Sequence, residues 1–536
     1  MNHRGYHRGL VPAAILLGCT LVSFALAERN GAPMAALGTV RFATSCTDEA
    51  DARFDRALAL LHHMMYAEAE EAFAAVVAED PDCAMAHWGI AMSLIHPVWA
   101  GSPTPADMAR GREALAQARA SDSASAREGA YLDAAGAFFD AADADYPTRL
   151  QSLRDAMRRV HDVYPDDADA AALYALMLVA TAPVDDVSRG QQRRAAELLA
   201  DVRRRIPDHP GSIHYAIHAH DSPELAAEGE EIARRYDAIA PEVPHALHMA
   251  SHIFVRLGMW SESAQWNRRS ADAALALSAG APIVNHYPHA MDYLAYAYLQ
   301  QAADDDASAL FDELRAHDAY RFDFGAVHAF TAIPARLALE RQRWAEAAAL
   351  PIRTPEAIDW DAFPQLEAIT HFARGIGAAR SGNLGAAQAS LASLEALGAQ
   401  TSGYWSQQVK LQRLAVSAWI AHAQGDDDRA VQDMRAAAEL EAEVGKHPVT
   451  PSGVAPVGEQ LGDLYWALNR PAEALAAYEA VLRVAPHRLN SLAGAVRAAS
   501  ALGDVDRVGR HRTPLLEAIE GADGDRARLL RSLGAF

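Results

Sequence analysis

Between His209 and His289 the chain places nine of its 23 histidines within 81 of its 536 residues, against the three or four of an even spread. His214 and His218 are four apart, and His245, His248 and His252 follow at intervals of three and four. On helices such residues share a face, with Cβ atoms about 5–6 Å apart. Imidazole nitrogen suits zinc, copper, iron and nickel. Rings crowded together and partly protonated would repel one another without an ion to share. A single histidine of this kind is an ordinary polar surface residue; it is the number and the spacing that point to metal.

The elements that must position these rings are helical. Hydrophobic residues make up 51% of the chain and aromatic ones only 7%, much of the rest being alanine and leucine, which favour helix. Alanine-rich amphipathic segments alternate with PD, DHP, PEVP, GD and SGN breaks. The segments are self-similar. Residues 461–486 carry Leu461, Gly462, Tyr465, Ala474, Tyr478 and Pro486, and the same frame recurs in Ala57, Ala69, Phe73 and Pro81, in Phe254, Gly258 and Trp260, and in Ala295, Tyr298, Ala307 and Phe311. Small residues at these places let two helices approach, and the aromatic fills the gap to the next pair.

This pattern resembles the tetratricopeptide repeat superfamily. The resemblance implies an all-α fold, a right-handed α-solenoid of about eleven or twelve helical hairpins running from Cys46 to the C-terminus. Residues 46–445 then form the solenoid with the histidine-rich stretch at its centre, and 446–536 a C-terminal block of similar hairpins. The loops 182–189 and 446–453 are expected irregularities. Through SCTDEADARFDRALALLHH, DPDCAMAHWGIAMS, HAHDSPELA and PHALHMASHIF, residues 40–300 also resemble a broad group of exported bacterial tetratricopeptide-like proteins.

In such solenoids the first helix of each hairpin lines the concave groove. Applied to this sequence, the resemblance turns His214, His218, His245, His248, His252 and His289 into one groove, together with Asp221 and Asp292. Six imidazoles with aspartate suit a mononuclear or dinuclear centre. Without a cysteine ligand or an HExxH glutamate, copper or iron in a metal-dependent oxidoreductase is favoured, with Tyr296 or Tyr293 as the nearby phenol. A zinc hydrolase, using Asp292 or Asp221 as base, is the alternative. Arg256 is the one fixed cation of the groove; it suits a substrate carboxylate or phosphate, or else an ion pair with Glu262 or Asp292. Metal delivery without turnover, and a scaffold holding a peptide partner in the groove, are the non-enzymatic readings.

Other histidines are weighed individually. His62 and His96 take groove places far from the cluster, and His63 and His87 suit helix interfaces. His209 starts a helix, His371 takes a packing place, and His220 and His286 flank the cluster as outer ligands or partners.

Residues 1–27 read as a secretory signal: basic at His3, Arg4, His7 and Arg8, apolar from Leu10 to Leu26, and small at Ala25 and Ala27. Cys19 loosely fits a lipobox, giving a lipoprotein as the lesser alternative to a periplasmic or secreted protein. Residues 28–45 form an extended lead-in. No later stretch is apolar enough to span a bilayer. Export leaves Cys46 and Cys83, each just ahead of a helix, as a disulfide pair. A formal charge of −22 argues against nucleic-acid partners. There is no Gly-rich phosphate loop, GxSxG, HExxH or CxxCH.

Overall fold

The computed structural model of the protein describes residues 36–99, 102–141, 143–279 and 281–534; the expected signal segment and Cys19 lie outside them. The fold is all-α. Twelve helix pairs, from Asp48–His62 with Tyr66–Glu79 to Leu489–Leu502 with Val505–Ala518, and a final Asp525–Ser532 helix follow one another among the described residues. Successive helices pack on one another, and the first helices of most successive pairs also touch, which makes an inner row and an outer row.

Local sequence accounts for the helix starts. Thr104 and Ser125 form capping boxes with Asp107 and Glu128, and Pro210, Pro244 and Pro471 open their helices, where a missing N–H costs nothing. The anticipated small-residue contacts are present. A Cβ on Gly462 would stand 2.6 Å from the Tyr478 ring, so only glycine lets that hairpin close. Residues 445–456 are irregular, as are 182–189, in line with the turn signals there; a further stretch, 350–363, is irregular apart from a 3-10 turn at Trp360–Ala362 and carries Pro351 and Pro355.

The lead-in, described from residue 36, is extended and buries Leu37, Val40 and Phe42; Thr39 N donates to the Asp208 carbonyl at 3.1 Å. Cys46 and Cys83 stand in disulfide geometry, Cα atoms 4.8 Å apart, and join the starts of two helices. No helix among the described residues is long and apolar enough to cross a membrane.

The inner face departs from an open groove. The superhelix winds tightly enough for the Asp48–His62 helix to pack on Pro210–His220. From the other end, the C-terminal block folds over the centre. Trp260 Nε1 donates to the His487 carbonyl at 3.0 Å, Leu489 N donates to Gln300 Oε1 at 2.9 Å, and Arg336 reaches the Ser452 carbonyl at 2.7 Å. Arg488, fully buried, donates to Glu340 at 2.7 Å and Glu459 at 2.8 Å. A buried triad of this kind is held by mutual pairing: removing one member leaves a charge with no solvent. The concave face of the central repeats is therefore filled by the chain itself.

Candidate metal centre

Three inner helices bring the histidines together: Pro210–His220, Pro244–Leu257 and His286–Gln300. Proline at the first position sets the start of the first two, and Gly258, at φ +70°, ends the second in the left-handed region. On this scaffold the six predicted histidines divide into two sets of three. His214, His218 and His245 offer nitrogens within 4.8 Å of one another, and so do His248, His252 and His289. Each set takes two rings from one helix and one from its neighbour. The sets adjoin, with ring centroids 5.6 Å apart for His218 and His252 and 6.0 Å for His245 and His248.

Hydrogen-bond accounting fixes the tautomers. His214 Nδ1 donates to the His62 carbonyl at 2.6 Å, His248 Nδ1 to Asn267 Oδ1 at 2.8 Å, and His252 Nδ1 to Asp221 Oδ2 at 3.0 Å. A neutral imidazole has one N–H, so in each ring Nε2 is left as a bare lone pair. The Nε2 atoms of His248 and His252 face each other at 3.0 Å. Nε2 of His214, Nε2 of His218 and both nitrogens of His245 are buried with no partner among the described residues. Burial pushes the pKa of His214, His245, His248 and His289 well below the ordinary histidine value, and the neighbouring imidazoles push them further. His218 falls to about 3 by the same causes. At neutral pH the cluster is thus a set of uncharged rings with unused lone pairs directed at one another.

The surroundings are part apolar and part fixed charge. Trp99 packs on His245 and His289 at 5.4 and 5.7 Å. Tyr293, fully buried, stands edge-on to His248 at 4.5 Å with its hydroxyl unpartnered among the described residues. Asp221 binds His252, Arg256 Nε at 2.7 Å and Lys446 Nζ at 3.2 Å. Burial alone would raise the Asp221 carboxyl, but Lys446, Arg256 and His252 together hold it well below the usual carboxylate range.

The residues expected to serve catalysis lie beside the cluster in other engagements. Arg256 pairs with Asp221, not with Glu262 or Asp292: Glu262 goes to Arg234 at 3.2 Å, and Asp292 to Arg336 at 3.3 Å, with His328 also at 3.3 Å. Tyr296 turns its hydroxyl to Arg488 at 3.1 Å, so Tyr293 is the phenol at the rings. His220 Nδ1 donates to its own helix at the Ala216 carbonyl and points away from the cluster. His286 lies 5.5 Å from His245 with Nδ1 unpartnered among the described residues. Sequence reasoning missed Asn267, which sits on the outer helix of its hairpin, and Lys446, which comes from 225 residues beyond Asp221. For Asn267 the signal was an amide at the outer-helix place facing His248; for Lys446 there was none.

A second buried group, His62, Asp169 and His209, also has metal-ligand composition. Here every ring nitrogen is used. His62 and His209 Nε2 both meet Asp169 Oδ1, at 2.9 and 3.2 Å; His62 Nδ1 meets Tyr215 Oη at 3.0 Å, and His209 Nδ1 accepts from Ser212 N at 3.1 Å. It is a closed structural network. Its place corrects the expectation that His62 lies far from the cluster: the ring packs against the Pro210–His220 helix, and its carbonyl orients His214.

The tetratricopeptide repeat family model matches residues 459–488, the hairpin at which the resemblance was most specific. The chain thus carries a repeat of the tetratricopeptide superfamily, and the match lies outside the histidine-rich stretch. Among solved structures, the chain is similar to the Cut9–Hcn1 hetero-tetramer of the APC/C, at 12% identity over 91% of this chain and 90% of that one, with a TM-score of 0.29. It is also similar to a tetratricopeptide repeat protein from Parabacteroides merdae, at 14% identity over 54% of this chain and 98% of that one, with a TM-score of 0.28. Overlays this weak add nothing to the fold, which rests on the hairpins themselves. Comparison with curated proteins finds no match.

Proposed function

We propose that the chain is a helical-repeat scaffold whose centre holds two metal ions, one on His214, His218 and His245 and the other on His248, His252 and His289, in the service of redox chemistry. The observation that carries this reading is the 3.0 Å approach of two Nε2 lone pairs whose Nδ1 protons are already committed. Two such lone pairs repel, and a buried polar atom without a partner costs about 1–3 kcal/mol. A cation shared between them turns the same geometry into attraction, since neutral imidazole nitrogen is a metal ligand.

An all-imidazole set without thiolate favours copper or iron, with zinc as the hydrolytic alternative. When bound, such ions would supply one-electron chemistry. The chain's own part is to keep the rings neutral, to fix their tautomers and to exclude water through Trp99 and the C-terminal segment. Tyr293, beside three of the rings, is the phenol placed to hydrogen-bond a bound small molecule. Export to an oxidising compartment belongs to the same proposal. It is supported by the signal-like N-terminus and by the Cys46–Cys83 pair.

A partner-binding scaffold is the second reading, favoured by the tetratricopeptide repeat at 459–488. Because the inner face of the central repeats is covered by the chain's own C-terminal block, a partner would dock on another face.

The two readings separate on metal content. Protein purified from its native compartment without chelators, measured by inductively coupled plasma mass spectrometry, is expected to carry up to two equivalents of copper or iron, lost in a His218→Ala, His248→Ala double variant. Absence of metal from both proteins leaves only the scaffold.

A further inference from the structure

We infer that the two three-histidine sets are unequal, and that His248, His252 and His289 form the tighter site, filled first. The inference rests on the metal reading above and concerns what lies behind the rings. The acceptor of a ligand's second N–H fixes the ring's orientation and raises the basicity of the coordinating nitrogen; losing that acceptor typically costs 10–100-fold in metal affinity.

In the favoured set, two of three rings are held from behind. His248 donates to Asn267 Oδ1, and Asn267 is itself oriented because its amide donates to the Ser263 carbonyl at 2.7 Å. His252 donates to the Asp221 carboxylate, which adds negative charge behind the ring as well as direction. Asp221 in turn is clamped: Arg256 Nε reaches Oδ1 at 2.7 Å, and a second Arg256 nitrogen reaches the Asp221 carbonyl at 3.1 Å. Lys446 Nζ completes the clamp at 3.2 Å while also donating to the Thr450 carbonyl at 2.9 Å, which ties the C-terminal loop to the site.

The other set has less support. His214 alone has its Nδ1 directed, by the neutral carbonyl of His62. Neither nitrogen of His245 has a partner among the described residues, and His218 is more exposed than the other five rings. Its rings must be ordered by the ion itself, and that ordering costs affinity. Asp221 is accordingly a positioning residue, neither a base nor only a turn residue, and Lys446 makes the tight site depend on docking of the C-terminal loop.

The test is a titration of the full-length metal-free protein with Co(II), followed by calorimetry and by the visible d–d bands. Wild type should bind two ions in separable steps, with constants differing by about 10–100-fold. His289→Ala should lose the tight step and keep the weak one, and His218→Ala the reverse. Asp221→Asn should weaken only the tight step, by about 10–100-fold; Asn267→Leu, which removes the acceptor of His248 without stranding a buried cation, should do the same and stands in if the aspartate variant unfolds. Two equal steps, a tight step surviving His289→Ala, or both steps weakened alike by Asn267→Leu would overturn the ranking while leaving the metal reading in place. A wild-type protein that binds no Co(II) removes both.

Discussion

Replacing His245 by leucine should stabilise the metal-free protein, although the residue is 3% exposed and lies at the centre of the molecule. Both imidazole nitrogens of His245 are buried without a partner among the described residues, and the neighbours of the ring are His214, Trp99 and His286 at 5.0, 5.4 and 5.5 Å. Each unpaired buried polar atom costs about 1–3 kcal/mol, and an apolar side chain of similar bulk removes both without a large change of volume. The expected gain is roughly 2 kcal/mol. In a chain of this length that is a rise of a few degrees in Tm, because the shift per kcal/mol falls as size grows, to about 2–4 °C even at 150–250 residues.

With metal the order should invert. An ion at a hundredfold excess over its Kd adds about 2.7 kcal/mol to wild type, and the variant forfeits this for the set it has broken. The contrasting substitution is His62→Leu. That ring is equally buried, but it is bonded to Asp169 at 2.9 Å and Tyr215 at 3.0 Å, so its loss should cost about 2–4 kcal/mol in either condition. Differential scanning calorimetry of the three proteins, in a chelator and with added Cu(II) or Zn(II), reads all of this. A His245→Leu protein that melts several degrees below wild type in chelator would refute the accounting, since it would mean that His245 makes a bond this geometry does not contain. Equal stabilisation of variant and wild type by metal would refute the ligand assignment.

Three further outcomes are expected. Gly258→Ala should cost about 1–2 kcal/mol for the left-handed backbone at φ +70° and more for its Cβ, 2.4 Å from the Pro486 carbonyl; a denaturant melt should show the loss, together with earlier proteolysis of the C-terminal block. His447 accepts from Val449 N at Nδ1, 3.1 Å, so it must be neutral, and burial pushes its pKa down to about 3. Its folded value lies below the unfolded one of about 6.5, so its contribution is whole above pH 6.5 and lost as the pH falls towards 3, at most roughly 5 kcal/mol. Protection factors for hydrogen exchange across 445–452, with the intrinsic rate at each pH divided out, should therefore fall between pH 6.5 and 4.5, and His447→Phe should flatten that response; pH-independent protection in wild type would count against it. Cys46→Ser with Cys83→Ser opens a link across 37 residues, and by chain entropy should lower stability by about 3–4 kcal/mol, seen as a melting shift that reductant reproduces in wild type.

The helices and hairpins were legible because they rest on local rules. Alanine-rich segments broken by PD and GD turns declare their own ends, and Gly462 opposite Tyr478 declares a close packing place. The six histidines were legible for the same reason: spacings of three and four fix a helical face whatever the rest of the chain does. What could not be read depends on the sum of many small rotations between repeats. Winding brings the Asp48–His62 helix onto Pro210–His220 and lays Lys446 on Asp221; neither contact has a local signature. Which of Tyr293 and Tyr296 keeps its hydroxyl free for the rings, left open by the sequence, has the same cause. Three residues apart on one helix, they differ in engagement only because Arg488, from the last hairpins, takes the hydroxyl of Tyr296.

The two buried histidine clusters show why composition alone does not make a metal site. His62, Asp169 and His209 include a carboxylate, the more usual mark of a ligand set, yet every ring nitrogen there is already spent on a hydrogen bond, and an ion would have to break those bonds to bind. The six rings on the neighbouring helices have no carboxylate among them; three of them, His214, His248 and His252, have their Nδ1 protons drawn outward to His62, Asn267 and Asp221, which leaves their Nε2 lone pairs bare, and both nitrogens of His245 have no partner among the described residues. One arrangement lowers the free energy of the empty fold; the other raises it. A chain that stacks hairpins needs no such cost at its centre, since alanine and leucine would close the same space more stably. That cost is offset when an ion enters, which makes the unsatisfied nitrogens, more than the number of histidines, the argument for metal at this site.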